Sequence, residues 1–498
     1  MDFFSNLLLG FSVILQPGNL FLCFLGCVMG TLVGVLPGLG PVAAISILLP
    51  STYHMSPVSA IIMLAGIYYG AMYGGSTTSI LVNIPGESAS VITCLDGYQM
   101  ARQGRAGAAL GISAFASFIA GTVATILIML AAPPLAGIAL VFGPPEYFAL
   151  MILGLAMLIY LATASMLKAL IMACLGVVLG TIGTDPIHGV ERFTFGSYTL
   201  MDGVGLVPVL MGLFGISEVL LTVEQATQVD VYKTRIGKLL PTLEDWGKSI
   251  KPILRGTFIG FFIGILPGGT AVVSSFSAYI VEKKLSKYPE KFGTGMIEGV
   301  AAPEAANNSA SQGSFIPLLT LGIPSNVVMA VLLGALLIQG VTPGPLLIKK
   351  YPDIFWGVIG SMYIGNLMLL LLNLPLIGIW VKLLKVPYAI MFPMILFFCL
   401  LGVYTVNNSY VEIIIMIIFG GIGYLMKKFG YEGAPLVLAF VLSPMMENAF
   451  RQSLIMSAGG FGIFLSRPIS LGLLIVTAVL LLLPFVPGLK KIPKGEPG

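Results

Sequence analysis

The stretch Gly26-Cys-Val-Met-Gly30-Thr-Leu-Val-Gly34-Val-Leu-Pro37-Gly38-Leu-Gly40-Pro41 reads as an apolar helix with a break built into it. Glycines at every fourth residue line one helix face and let a neighbouring backbone come close. Pro37 and Pro41 lack the amide donor and clash with the preceding turn, while Gly38 and Gly40 adopt the backbone angles an opened helix needs. Hydrocarbon tolerates open backbone only where protein buries it or where it lines a polar cavity, so the break proposes a site. One copy alone also suits a surface turn between two membrane helices. The second copy argues for a site: at an offset of 230 residues the chain writes Gly256-Thr-Phe-Ile-Gly260-Phe-Phe-Ile-Gly264-Ile-Leu266-Pro267-Gly268. Gly26, Gly30, Gly34, Leu36, Pro37 and Gly38 all recur, so the chain is built from two related halves.

Composition sets the medium. With 498 residues, 57% of them hydrophobic and only 9% charged, and a mean hydropathy of +1.00, the chain is an all-α polytopic membrane protein. Its net charge of +4 is spread over short loops and reports membrane orientation, not nucleic-acid binding. The five cysteines lack paired spacing and the two histidines are far apart, so neither a disulfide framework nor a metal centre is indicated. The first apolar run lacks a preceding basic region and a cleavage site, so no removable signal peptide is expected.

Residues 3–16 form a short apolar segment suited to the interface, and residues 19–36 make the first clear span. Residues 41–50 are too short to cross and read as a half-helix. Further spans are expected near 56–74, 107–131, 146–165, 168–183, 203–222, 326–346, 355–381, 387–404, 410–426, 432–448 and 469–488, about twelve crossings in all. Residues 1–222 are the first membrane repeat, 223–251 a hydrophilic cytoplasmic linker and 252–498 the second repeat. Basic residues on both flanks of the second break favour a re-entrant hairpin, a single tilted crossing being the alternative, and the same pattern leans towards inverted repeats.

Two polar runs follow the breaks. Gly74-Gly75-Ser76-Thr77-Thr78-Ser79 leads to Asn83-Ile-Pro85, and Asn307-Asn308-Ser309-Ala310-Ser311-Gln312-Gly313-Ser314 leads to Ile323-Pro324. The two resemble each other with one extra residue in the second. Duplicated halves with Gly/Pro-broken segments in corresponding positions point to a secondary-transporter site. Half-helix N-termini offer amide donors and positive dipole ends to an anion without a buried Arg or Lys. The substrate-binding candidates are therefore Gly38, Gly40, Ser76, Thr77, Thr78, Ser79 and Asn83 from the first half. From the second half they are Gly268, Gly269, Thr270, Asn307, Asn308, Ser309, Ser311 and Ser314. Unwound carbonyls and these oxygens also suit a sodium ion. Ser, Thr and Gly equally serve as small residues between packed helices. Glu298 and Glu304, acids beside apolar segments, are the ion-coupling candidates, although Pro303-Glu304 also reads as a helix start. Arg102 and Arg105 are placed in a loop.

The runs Gly34-Val-Leu-Pro-Gly-Leu-Gly40-Pro, Tyr69-Gly-Ala-Met-Tyr-Gly-Gly-Ser-Thr-Thr-Ser79 and Ala302-Pro-Glu-Ala-Ala-Asn-Asn-Ser309 resemble the large membrane subunit of tripartite tricarboxylate transporters, over nearly the whole chain. The resemblance implies a multi-pass protein of the bacterial inner membrane that imports a carboxylate on a sodium or proton gradient. It also implies a small membrane subunit and a periplasmic substrate-binding protein as partners. Composition and spacing show neither partner.

Two rivals come from other classes. An intramembrane serine protease would use Ser88 in Gly86-Glu-Ser88-Ala, and needs a histidine such as His188 beside it. A passive anion channel would conduct without ion coupling or saturation. No Walker motif occurs, so direct ATP use is not expected.

Overall fold

The computed structural model describes residues 3–36, 39–162, 165–185, 187–225, 238–383 and 388–483, and most of these residues are helical. That is the outcome apolar chain requires, because in a bilayer each backbone amide and carbonyl must be satisfied within its own segment. The first half contains α1 (Phe3–Ile14), α2 (Pro17–Val35), α3 (Pro41–Leu48), α4 (Pro57–Val82), α5 (Ala106–Ala139), α6 (Pro144–Leu161), α7 (Met166–Gly180) and α8 (Leu206–Glu224). The second contains α9 (Leu243–Ile265), α10 (Ala271–Leu285), α11 (Glu298–Gly313), α12 (Phe315–Leu321), α13 (Val327–Ile338), α14 (Pro352–Asn373), α15 (Ile377–Leu383), α16 (Tyr388–Asn407), α17 (Tyr410–Lys428), α18 (Gly433–Met456) and α19 (Pro468–Leu482). Among the described residues, eight helices are long and apolar enough to cross a membrane and six shorter ones are apolar. The protein is thus an all-α polytopic membrane protein.

Several local expectations change. The helix expected at 107–131 continues to Ala139 through Pro133 and Pro134. Pro303 lies inside α11, which starts at Glu298, so it does not mark a helix start. The hydrophilic linker ends early, because Thr242 accepts the Asp245 amide while the Asp245 side chain accepts from Thr242, a capping box that starts α9 at Leu243. The segment α1 is packed in the fold: Gly10 and Gly360 meet backbone to backbone, and Ile14 is fully buried. Pro37 and Gly38 lie outside the described residues, as does the stretch 226–237 of the linker.

The glycine stripe explains how each half is assembled. A Cβ on Gly26, Gly30 or Gly34 of α2 would collide with the carbonyl oxygens of Met63, Ile67 and Ala71 on α4. Gly66, Gly70 and Gly74 return the contact, meeting the carbonyls of Cys23, Cys27 and Thr31. In the second half Gly256, Gly260 and Gly264 of α9 meet the carbonyls of Ala302, Ala306 and Ala310 on α11. The contacted residues of the two halves are all 239 apart. At that spacing Asn83 and Gly322 both have left-handed backbone, φ 60° and 71°. Ile84–Pro85 then matches Ile323–Pro324, so no extra residue is needed and Gly74, not Gly75, corresponds to Gly313. Lipid supplies no hydrophobic drive between helices, so close backbone packing has to hold these pairs together.

Gly260→Val is expected to separate α9 from α11 and to cost about 1–3 kcal/mol or more through overpacking. Gly247→Ala, with nothing near its Cβ position, should leave stability unchanged or slightly raised. Thermal unfolding of the two purified variants in detergent checks the difference.

A two-stranded hairpin, Gly183–Thr184 paired with Glu191–Arg192, caps the loop between α7 and α8. Arg451 and Arg192 tie it to α18 through Asp185 and Glu447. The Ile187 amide and the Arg451 guanidinium hold the Asp185 carboxyl well below the usual carboxylate range.

Candidate functional site

Each half interrupts two helices. In the first half the chain breaks between α2 and α3, and again after α4, where Asn83 turns left-handed and Glu87 caps the short helical turn Ser88–Ser90. In the second it breaks between α9 and α10, and again between α12 and α13. All four interruptions line one cavity of about 600 Å³. Its wall includes Gly40 and Pro41 at the start of α3, Glu87 and Ser88, Thr270 and Ala271 at the start of α10, and Asn326 and Val327 at the start of α13. The two breaks of the second half are joined directly, the Gly268 amide donating to the Ser325 carbonyl at 2.7 Å.

The electrostatics follow from the helix starts. The first amides of a helix have no partner inside it and carry the positive end of the dipole, so three helix N-termini and one short turn present donors to the same space. Their caps engage only part of each side chain. Thr270 Oγ1 accepts the Val273 amide at 3.3 Å, leaving its hydroxyl proton to the cavity, and Asn326 Oδ1 accepts the Met329 amide at 3.0 Å while its Nδ2 faces the Tyr68 hydroxyl on the cavity wall. Glu87 Oε2 accepts the Ala89 amide at 2.8 Å, while its buried Oε1 has no hydrogen-bond partner. Tyr68, Met72 and Phe214 supply apolar wall, and the ion pair of Lys427 with Glu218 stands at the edge. The arrangement suits a compact anion held by amides.

Of the residues singled out from sequence, Gly40 and Thr270 line this cavity. Gly268, at φ 78°, and Gly269 form the adjoining turn, and Gly38 is outside the described residues. Asn83 is the exposed left-handed cap of α4. The hydroxyl and amide clusters lie elsewhere. Ser76, Thr77, Thr78 and Ser79 are buried in α4, and Asn307, Asn308, Ser309, Ser311 and Ser314 are buried in and beside α11. None of them lines the cavity. Several are back-bonded or bonded to neighbouring helices: Thr78 donates to the Val35 carbonyl at 2.9 Å, Ser309 to the Thr257 carbonyl at 2.7 Å and Ser311 to the Asn308 carbonyl at 2.8 Å. Ser314 donates to the Ser311 carbonyl at 2.6 Å.

Glu304 is fully buried between the halves, accepting from Ser76 Oγ and Thr93 Oγ1, each at 2.5 Å. Glu298 is half-buried in the first turn of α11, where a negative charge suits the helix dipole. Arg102 and Arg105 are exposed, and Arg105 pairs with Asp245. His188 is held by Asp185 and Arg451 in the hairpin loop, and no histidine lines the cavity beside Ser88. Sequence reading missed Glu87 and Asn326 as caps. The available signal was the repeated Ile-Pro, with the capping residue three and two positions on from Ile84 and Pro85 and from Ile323 and Pro324.

A membrane protein whose interrupted helices meet at one cavity has an architecture suited to a transporter. The chain belongs to the tripartite tricarboxylate transporter TctA family, which it matches over residues 20–438, and so is a membrane component of a tripartite transporter. It is 51% identical over 490 residues to an uncharacterized 52.8 kDa protein of Agrobacterium vitis from the TAR-I ttuC' 3' region, with 98% of each chain covered. It is also 51% identical over 230 residues to an uncharacterized protein of the same organism from the TAR-II ttuC' 3' region, covering 46% of this chain and 95% of that one. No solved structure matches.

Proposed function

We propose that this chain is the large membrane subunit of a bacterial inner-membrane importer that takes up a tricarboxylate or related carboxylate anion on a sodium or proton gradient. The observation that carries the reading is the convergence of interrupted helices from both halves on a single cavity of about 600 Å³, a volume suited to a small molecule. Amides at the starts of α3, α10 and α13, with the Thr270 hydroxyl and the Asn326 amide, would hold the carboxylates. The cavity's two carboxylates, Glu87 and Glu218, and its one lysine leave the wall short of fixed positive charge, so the helix ends carry the attraction. A small membrane subunit and a periplasmic binding protein would deliver the substrate, and residues 1–222 and 252–498 would act as two repeats about the cavity.

Uptake of radiolabelled citrate and other carboxylates into proteoliposomes tests the reading, with and without the partner subunits and under separate sodium and proton gradients. Saturable uptake that needs one of the gradients is expected. Flux that neither saturates nor follows a gradient would replace the transporter with an anion channel.

A further inference from the structure

We propose that Glu304, Ser76, Thr93 and Ser113, with Asn307 beside them, form an oxygen-lined binding site for one sodium ion at the seam between the two halves, behind the wall of the anion cavity. Ser76 comes from α4, Thr93 from the turn that follows Glu87, Ser113 from α5, and Glu304 and Asn307 from α11. All five are buried. Hydroxyls of Ser76 and Thr93 close on the two carboxyl oxygens of Glu304 at 2.5 Å, and Ser113 and Asn307 lie against the same carboxyl. None of the ion pairs among the described residues includes Glu304.

A carboxylate buried this deeply without a cationic partner is costly and calls for a positive counter-charge. The neighbouring amides are incompletely paired. Asn308 Nδ2, with two hydrogens, faces three oxygens: Ser117 Oγ at 2.7 Å, the Glu304 carbonyl at 3.1 Å and Asn307 Oδ1 at 2.5 Å. Meanwhile Asn307 Nδ2 and Asn308 Oδ1 are buried without partners. One buried acceptor, Asn308 Oδ1, is thus left open in the cluster alongside one open donor, Asn307 Nδ2. Carboxylate, hydroxyl and amide oxygens are hard ligands, and a single carboxylate balances one positive charge, which selects a monovalent ion over calcium or magnesium. A proton would need only one of these oxygens; the convergence of hydroxyls from three separate segments is what a coordination shell needs.

The site is wired to the anion cavity through one rigid turn. Glu87 is on the cavity wall, its backbone carbonyl accepts from Ser90 Oγ at 2.7 Å, Ser79 Oγ donates to Ser90 Oγ at 2.9 Å, and Thr93 follows three residues later. Ordering Thr93 on an ion therefore fixes the segment that carries Glu87 and Ser88. Sodium binding is a property of this chain alone, whereas its use to drive uptake rests on the transporter reading above.

Equilibrium binding of radiolabelled sodium to the full chain, purified in detergent with lipid and without partner subunits, is the test. The wild-type chain is expected to bind sodium saturably, with potassium and choline failing to compete. Glu304→Gln should weaken binding at least tenfold, Thr93→Val should weaken it by a similar factor, and Thr93→Ser, which keeps the hydroxyl, should restore it. All three variants should elute as monodisperse protein. Absence of saturable sodium binding in the wild-type chain, or wild-type affinity in Glu304→Gln, overturns the site. Intact sodium binding with no gradient-driven uptake would leave the site standing and remove the transporter reading instead.

Discussion

Gly268→Leu is expected to abolish uptake, lowering it at least a hundredfold, while the protein still inserts and elutes as a single species. Gly268 has φ 78°, a left-handed conformation that costs an ordinary side chain about 1–2 kcal/mol. A Cβ there would stand 3.0 Å from the Leu158 amide nitrogen, so α6 must also give way. The residue's own amide donates to the Ser325 carbonyl at 2.7 Å, the bond that holds the α9–α10 break against the α12–α13 break. Losing that register moves Thr270 and Asn326 relative to each other, and small displacements of binding groups are expensive in rate. Substrate binding by calorimetry and uptake by proteoliposomes read the two consequences separately. Uptake near the wild-type rate would show that the two breaks do not need to be held together.

The break and the pairing of helices by glycine were legible because both depend on residue types with special backbone freedom or no side chain at all. Gly26, Gly30 and Gly34 could only serve close packing, and their recurrence at 256, 260 and 264 revealed the second copy. The partner stripe was harder. Gly66, Gly70 and Gly74 correspond in the fold to Ala305, Ser309 and Gly313, and in the second half it is Ala302, Ala306 and Ala310 that receive the α9 glycines. Small residues of several kinds fill such a stripe, so identity does not repeat there. The position of the polar clusters, away from the cavity, was not legible for a related reason. A serine in a membrane helix faces a substrate, a buried acid or the preceding turn with the same sequence signature. Ser76 finds Glu304 and Ser314 finds the Ser311 carbonyl, distinctions that depend on helix rotation and not on composition. Asn326 and Glu87 each stand alone in the sequence, outside any polar run, so composition does not mark them.

Asn326→Asp should weaken carboxylate binding by roughly ten- to a hundredfold while leaving thermal stability nearly unchanged. Asparagine and aspartate cap helices about equally well, and in both the oxygen that accepts the Met329 amide is kept. What changes is the other end of the side chain: Nδ2, a donor beside the cavity, becomes an acceptor that bears negative charge. A hydrogen bond to a charged group contributes about 1.5–3 kcal/mol, which sets the expected range before repulsion is added. Thr270→Val gives the complementary loss, removing a hydroxyl at the start of α10, with Thr270→Ser as the variant that keeps it. Arg102→Ala, in an exposed segment away from the cavity, should change affinity little. A site organised by a fixed cation makes the opposite forecast, because Lys427 lines the cavity edge and is partnered by Glu218. In that case Lys427→Met would dominate the series and Asn326→Asp would matter less. Calorimetric dissociation constants for the substrate across these variants rank the two mechanisms, and a larger loss from Lys427→Met than from Asn326→Asp would remove helix ends as the main source of anion affinity.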